Sequence, residues 1–228
     1  LVSQAENALT DIESLTGGRV SIGATPGIGV YLAPEWVQRF RTRYPQLSVA
    51  LNTGVTAQIV ADVLARRLDI GFIESPGHLP TLESEICCDD ELQVVCSPSF
   101  PLAKLKTVSP KQLLNLPYIS RESGSGSREF TEAYLQNAGL SIDDLNLVME
   151  MGSPVSLNGV VETGLGFAIA SRASIVKAHK LGILVAIPLK PKLIRTLTMV
   201  SPKQKFRSKL VVTFVEFASA GMKRFVAA

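Results

Sequence analysis

Four short runs combine glycine with hydroxyl side chains in a way that suits capture of a small anion. They are Thr25-Pro26-Gly27-Ile28-Gly29, Gly54-Val55-Thr56-Ala57-Gln58, Ser123-Gly124-Ser125-Gly126-Ser127-Arg128 and Gly152-Ser153-Pro154-Val155. Glycine lets a ligand approach the backbone, and Ser and Thr add hydrogen-bonding groups. Each run precedes a helical pattern, and a helix start offers unpaired N–H groups with partial positive charge. One such end contributes about 0.3–1 kcal/mol at the surface and up to ~2 kcal/mol when partly buried. Several around one cleft are consistent with micromolar binding after association costs. The same residue types also make ordinary N-caps and turns. Ser123–Ser127 packs three serines and two glycines into five residues, more than one cap requires. Arg128 either pairs with a ligand carboxylate or lies on a solvated first turn.

Other chemistries lack their residues. There is no G-x-S-x-G and no Walker loop. Gly124-Ser125-Gly126 does not extend to G-x-G-x-x-G because Glu129 takes the third place, and Gly164-Leu165-Gly166 fails at Ile169. His78 and His179 have no carboxylate or cysteine at ligand spacing, so no metal is expected. Glu74 and Glu122 fall at strand ends, with nothing marking an acid/base pair. Cys87, Cys88 and Cys96 form an odd set without framework spacing and read as buried, reduced thiols. The expectation is a binding module with no cofactor, not an enzyme.

The elements that carry these runs alternate strand and helix. Arg19–Ala24, Leu47–Asn52 and Asp69–Ile73 read as strands. A helix over Tyr31–Tyr44, with Leu32, Trp36, Val37 and Phe40 at helical spacing, and one capped by Thr56 through Leu64 lie between them. This β-α-β-α-β order predicts a parallel sheet, which places the runs at strand carboxyl ends. Leu82–Cys88 and Leu92–Ser97 are predicted as further strands. The pattern then restarts with a capped helix start at Ser109-Pro110, strand Tyr118–Ser120 and the loop Arg121–Ser127. Helix Arg128–Ala138, strand Leu147–Met151, helix Val155–Thr163 and strands Gly166–Ala170, Leu184–Pro188 and Leu193–Ser201 follow. Lys209–Phe225 closes the order as a helix, with Val212, Val215, Phe217 and Met222 among its buried candidates.

Two α/β units in tandem result, with lobe I over 17–94 and 197–228 and lobe II over 95–196. Two crossings, near Val94–Pro98 and Arg195–Ser201, predict a hinge with a cleft between the lobes. Leu1, Ala5, Ala8, Ile12 and Leu15 follow heptad spacing, so Leu1–Thr16 reads as the end of a longer helix. Composition narrows the partners. The chain has 228 residues, 46% hydrophobic and 19% charged, which is ample for one or two cores and unlike a disordered tail. A net charge of +3 and 6% aromatics offer neither a dense basic surface nor a stacking platform for nucleic acid. No apolar run is long enough to span a membrane.

Several segments, in their order and spacing, resemble the effector-binding domain of LysR-type transcriptional regulators. They are Gly18-Arg19-Val20-Ser21-Ile22-Gly23-Ala24, Tyr31-Leu32-Ala33-Pro34, Phe40-Arg41-Thr42-Arg43-Tyr44-Pro45 and Asp69-Ile70-Gly71-Phe72-Ile73. Ser97-Pro98 through Pro101-Leu102-Ala103 and Gly164-Leu165-Gly166-Phe167-Ala168-Ile169 continue the likeness, which covers residues 17–228. Arg121–Arg128 looks most like the branch regulating carbon fixation and sulfur metabolism. The resemblance implies two Rossmann-like lobes joined by two crossover strands, a fold like type 2 periplasmic binding proteins. It implies a small anionic effector between the lobes, bound by Thr25, Pro26, Gly27, Ile28, Gly29, Thr56, Gln58, Ser123, Gly124, Ser125, Gly126, Ser127, Arg128, Ser153 and Val155. It implies a protein that pairs with itself as a dimer or tetramer through Tyr31–Tyr44 and Lys209–Phe225; the polar opening segment and the odd set of reduced cysteines make the expected location cytoplasmic. It also makes Leu1–Thr16 the end of a linker helix, with DNA read by a winged helix-turn-helix ahead of it. Pro26 departs from the polar or small residue common at its place, which leaves its turn fewer N–H donors. The same scaffold also serves exported solute-binding proteins of transporters and small enzymes, which remain the alternatives at this point.

Overall fold

The computed structural model describes residues 17–74, 79–203 and 208–227. The heptad-like stretch Leu1–Thr16 and His78 lie outside the described residues. The chain divides into two compact units, one formed by Leu1–Cys88 with Leu197–Ala228 and the other by Asp89–Thr196.

In unit 1, β1 (Gly18–Ala24) pairs in parallel with β2 (Leu47–Thr53) and β3 (Ile70–Ile73). The registers Gly18↔Leu47 and Ile22↔Ile70 bring the carboxyl ends of all three strands to one side. The end of β8 (Val185–Pro202) joins β3 antiparallel, Gly71 facing Val200. The expected parallel sheet therefore holds for β1–β3 and ends at β8, because that strand returns from unit 2 in the opposite direction. Val20, Ile22, Ile70 and Phe72 are fully buried, as strands covered on both faces require.

Ahead of the helix predicted over Tyr31–Tyr44 stands one not anticipated, α1 (Pro26–Tyr31); after a break at Leu32 the predicted helix follows as α2 (Ala33–Arg43). Pro34 explains the restart, since it lacks the N–H that a continuous helix would use there. Pro26, in turn, starts α1 in the stretch expected to be an open loop. On α2, Trp36 meets Phe72 at 5.3 Å between ring centroids, and Phe40 meets Phe214 of α7 (Lys209–Ala227) edge to face at 5.2 Å. The buried stripe of α7 is Val211, Phe214, Ala218 and Met222. Of the predicted core residues Met222 is buried and Val215 and Phe217 are half-buried, but Val212 is 41% exposed, because Val211 and not Val212 lies on the buried face with Phe214 and Ala218. Helix α3 (Thr56–Leu64) covers the sheet through Ile59 and Val63, packed with Leu68, Ile73, Leu82 and Val200. Gly23 and Gly71 permit this approach, since a Cβ at either would lie under 3.0 Å from Ile59.

Unit 2 begins within β4 (Leu82–Cys96), one strand where two were predicted. The acidic run Asp89-Asp90-Glu91 reads as a break in sequence, but its backbone stays extended through it. Likewise Leu184–Pro188 and Leu193–Ser201 fuse into β8, which lies beside β4. β5 (Pro117–Arg121) and β6 (Asn146–Met151) pair in parallel, and β7 (Ala168–Ser171) joins β4 antiparallel. The helices are α4 (Gly126–Asn137), α5 (Pro154–Glu162) and α6 (Arg172–Lys180), the last not anticipated. Ser109 and Gln112 form the expected capping box, but it starts only a 3-10 turn over Pro110–Leu113. Leu92, Val94, Tyr118, Leu135, Phe167 and Leu189 centre one core cluster, and Val95, Ile119, Leu157, Val161 and Ala168 another.

Of the cysteines, Cys88 and Cys96 are buried and Cys87 is half-buried, and none of the three is in a disulfide. Burial pushes the Cys87 and Cys96 thiols up to about 11, far from the thiolate form that reacts or binds metal.

Candidate functional site

In unit 1 the strand register gathers two of the four runs at one sheet end. Thr25 N–H donates to the Phe72 carbonyl at 3.0 Å and Gly54 N–H to the Ala24 carbonyl at 3.2 Å. These bonds hold the Thr25 and Gly54–Gln58 turns side by side. Pro26 to Gly29 do not form an open loop, because α1 begins at Pro26. Ile28 is buried and belongs to the core. A Cβ at Gly29 would lie 2.6 Å from Thr53 Cγ2, so this glycine serves the packing of α1 on β2. Thr56 is the first residue of α3, and Val55 stands in the cap position without a side-chain bond. Gln58 hydrogen-bonds Asp62 one turn along α3 and, with Arg67, holds its carboxyl below the usual range. Three of the unit 1 candidates, Ile28, Gly29 and Gln58, thus have structural partners that account for them.

Thr25 is different. It occupies the N-cap position of α1, yet its side chain makes no cap bond. The residue is only 2% exposed, and among the described residues nothing hydrogen-bonds its Oγ1. A buried hydroxyl left unmade costs about 1–3 kcal/mol. Such a group at the carboxyl end of a parallel strand is where an α/β fold receives a ligand.

Unit 2 gathers the other two runs in the same manner. Glu122 N–H donates to the Met151 carbonyl at 3.2 Å, which sets the Ser123 turn beside Gly152–Val155 at the ends of β5 and β6. Gly124 has φ +79°, a left-handed turn that suits glycine. The helix starts at Gly126, so Ser127 and Arg128 lie in its first turn and not in the loop. Gly126 and Ser127 stand among the amides that have no partner within a helix. Ser125 caps α4, accepting from Arg128 N–H at 3.3 Å, and Ser153 caps α5, accepting from Ser156 N–H at 3.1 Å. These two hydroxyls do the ordinary work of an N-cap. Ser123 and Gly124 are exposed, and Val155 offers only backbone polarity.

Arg128 does not lie on a solvated first turn, and in the ligand-free chain it faces carboxylates of its own unit. Its Nε donates to Glu132 at 2.8 Å and its Nη1 to Glu150 at 2.5 Å, with a further bond to the Arg121 carbonyl. These partners raise its pKa further, the Glu132 hydrogen bond first, and leave it committed to carboxylates. Arg121 is engaged likewise by Glu122 at 2.7 Å. Burial pushes the Glu122 carboxyl up, but the bonds from Arg121 and its own amide outweigh it and lower it overall. The turn therefore presents hydroxyls and backbone N–H groups, while its cations face carboxylates.

One cluster near the turn was not expected. Arg195 on β8 and Asp90 on β4, each 2% exposed, form an ion pair at 2.7 Å. Ser171 Oγ donates to the other Asp90 oxygen at 2.8 Å, and Arg195 Nη1 donates to Ser127 Oγ at 2.9 Å. Removing one partner of such a buried pair costs about 3–5 kcal/mol. The available signal was on the Arg195 side alone, a charge inside the apolar strand sequence LIRTL that demands a buried partner; Asp90, between Asp89 and Glu91, carries no such mark. No group of three or more His, Cys, Asp and Glu is placed to hold a metal ion among the described residues. Nor is any described helix long and apolar enough to cross a membrane.

Two α/β units joined by two strands, with glycine and hydroxyl turns at the carboxyl ends of parallel strands, define a bilobal ligand-binding domain. The chain belongs to the LysR substrate binding domain family, whose description matches residues 13–223. An uncharacterized HTH-type transcriptional regulator of Escherichia coli, YeiE, is 37% identical over 88% of this chain and 67% of its own length. A probable RuBisCO transcriptional regulator of Cyanidium caldarium is 32% identical over 94% of this chain and 69% of that relative. Among solved structures, the CcmR regulatory domain of Synechocystis in complex with 2-PG superposes with TM-score 0.81 at 21% identity, covering 90% of this chain and 98% of that one. The effector binding domain of QuiR in complex with shikimate gives 0.78 at 20% identity, covering 91% and 98%. The chain is thus the effector domain of a LysR-type regulator, with the expected likeness to carbon-fixation regulators. The transporter alternative is overturned by this membership. The chain spans about two thirds of the length of these curated relatives.

Proposed function

We propose that this domain senses a small anionic metabolite and changes the output of a LysR-type transcriptional regulator when it binds. The observation that carries the reading is the Thr25 hydroxyl, buried and without a hydrogen-bond partner among the described residues at the carboxyl end of β1. In unit 1 the recognition elements are Thr25, the backbone of Pro26 and Gly27, and Thr56. In unit 2 they are Ser123, Gly124 and the amides of Gly126 and Ser127, with Ser125 and Ser153 shaping the turns as caps. Arg128 holds its turn to Glu132 and Glu150 and acts on the ligand at most through that turn.

Neutral donors suit a carboxylate or a single compact anion, since helix ends and hydroxyls add charge stabilisation without a buried cation. The structures with 2-PG and with shikimate show that this fold accepts ligands of that size. The domain acts by binding and performs no reaction. Occupancy shifts the population between arrangements of different ligand affinity. DNA contact belongs to a winged helix-turn-helix outside these 228 residues. The regulator works as a cytoplasmic homo-oligomer.

The test is a thermal-shift screen of small organic and inorganic anions, followed by calorimetry of any hit. Thr25→Val and Ser123→Ala are the informative variants, because Ser125→Ala also removes a helix cap. Each is expected to weaken the hit by about 1 kcal/mol or more. If both bind as tightly as the parent, the two turns do not hold the ligand.

A further inference from the structure

Asp90 and Arg195 stand one residue inside the two boundaries of unit 2, where β4 enters it and β8 leaves it. Their pair clamps the two strands side by side. The planar guanidinium fork has more donors than one carboxylate can use. Nε and Nη2 of Arg195 go to Asp90 Oδ2 at 2.8 and 2.7 Å, and Nη1 reaches out to Ser127 Oγ at 2.9 Å. Ser127 sits in the first turn of α4, and its carbonyl accepts from Thr131 Oγ1 at 2.8 Å, one turn on. On the far side, Ser171, which closes β7 and caps α6, donates to Asp90 Oδ1. One hydrogen-bonded chain, buried at Asp90 and Arg195 and half-buried at Ser127, therefore runs from the serine turn to both crossing strands.

We propose that Arg195 is a positioning residue for the serine turn, tying the first turn of α4 through Ser127 to the two strands by which the chain enters and leaves unit 2. The third arm of the guanidinium separates this from a plain strand clamp, which Asp90 and Arg195 would form without Ser127. A lysine keeps the charge opposite Asp90 but cannot span the carboxylate and the hydroxyl with the same geometry. A ligand seated on the turn would then bias strands it does not touch. That regulatory meaning rests on the proposed effector site, whereas the linkage itself belongs to the ligand-free chain.

Hydrogen–deuterium exchange of the ligand-free 228-residue chain tests it. Ser127→Ala is expected to speed exchange roughly tenfold, the scale of one lost buried hydrogen bond, at two places together: Glu129–Thr131 of α4 and residues 90–92 and 193–196 of β4 and β8. Amides of β1 in unit 1 serve as the reference and stay unchanged. Ser127→Thr, which keeps the hydroxyl, restores both regions, and Arg195→Lys reproduces the loosening of α4. Exchange that rises in α4 alone overturns the proposal, as does a uniform rise that includes β1. An anion screen that finds no ligand, with this coupling intact, removes the effector site and leaves the linkage. Ligand binding without the coupling removes the linkage alone.

Discussion

A hydroxyl that caps a helix and a hydroxyl that waits for a ligand look alike in sequence and differ in what they touch. Ser125 and Ser153 each accept a backbone N–H from their own helix. Thr25 stands in the same position relative to α1 and accepts none; the proline that follows is not the reason, since Ser153 also precedes a proline and still caps its helix through Ser156 N–H. Its burial then leaves the hydroxyl uncompensated in the ligand-free protein. Thr25→Val keeps the shape and removes the polar atom. It should stabilise the ligand-free domain by about 1 kcal/mol, raising Tm by ~2–4 °C for a chain of this size, while it weakens the ligand. Differential scanning calorimetry with and without a hit from the screen reads both effects. A lowered Tm in the absence of ligand would mean that the hydroxyl is already satisfied.

At the scale of elements, glycines divide into those that packing requires and those that it does not. Gly221 on α7 faces Trp36 of α2, and a Cβ there would fall 2.2 Å from the indole Cδ1. Gly159 on α5 has nothing within 4 Å of its Cβ position. Gly221→Ala should destabilise by about 1–3 kcal/mol through overpacking, whereas Gly159→Ala should stabilise by roughly 0.5–1 kcal/mol through helix entropy. Urea denaturation of the two variants separates them, and equal effects would contradict the packing of α2 on α7. The same contrast shows what the sequence could reveal. Strands β1–β3 and helices α2 and α3 were legible, because apolar periodicity and turn glycines agree there, whereas the short α1 hides in a glycine-containing run that reads as a loop. β4 and β8 were each read as two strands, since Asp89-Asp90-Glu91 and Lys190-Pro191-Lys192 look like interruptions. Neither breaks an extended backbone, and the Asp90 carboxylate finds its partners at a distance in sequence, Ser171 81 residues away and Arg195 105 residues away. A partner at that separation leaves no local pattern. Similarly, the glycine and serine turns were found by composition, while the commitments of Arg128 and Gln58 to nearby carboxylates depended on side-chain directions that spacing does not give.

For the molecule as a whole, the titrations that matter are those of neutral groups kept from water. Burial pushes Cys87 in unit 1 and Cys96 in unit 2 up to about 11 from 9.0. Burial likewise pushes the Tyr118 phenol in the unit 2 core up to about 12 from 10.0. A Ser120 hydrogen bond and the Arg128 charge oppose this only partly. Each folded-state pKa is raised, so the unfolded chain loses these protons first. The stabilisation is complete below pH 9.0 and erodes as pH rises through about 11 for the thiols and about 12 for the phenol. Tm should therefore be level on the alkaline side of neutrality, begin to fall near pH 9, and fall more steeply once the phenol joins. Replacing Cys87 and Cys96 together by Ala should flatten the first part of that decline and leave the second, which belongs to Tyr118. Thermal melts of parent and double variant between pH 8 and 11 check this. An unchanged early slope in the variant would place the alkaline sensitivity in groups other than the thiols.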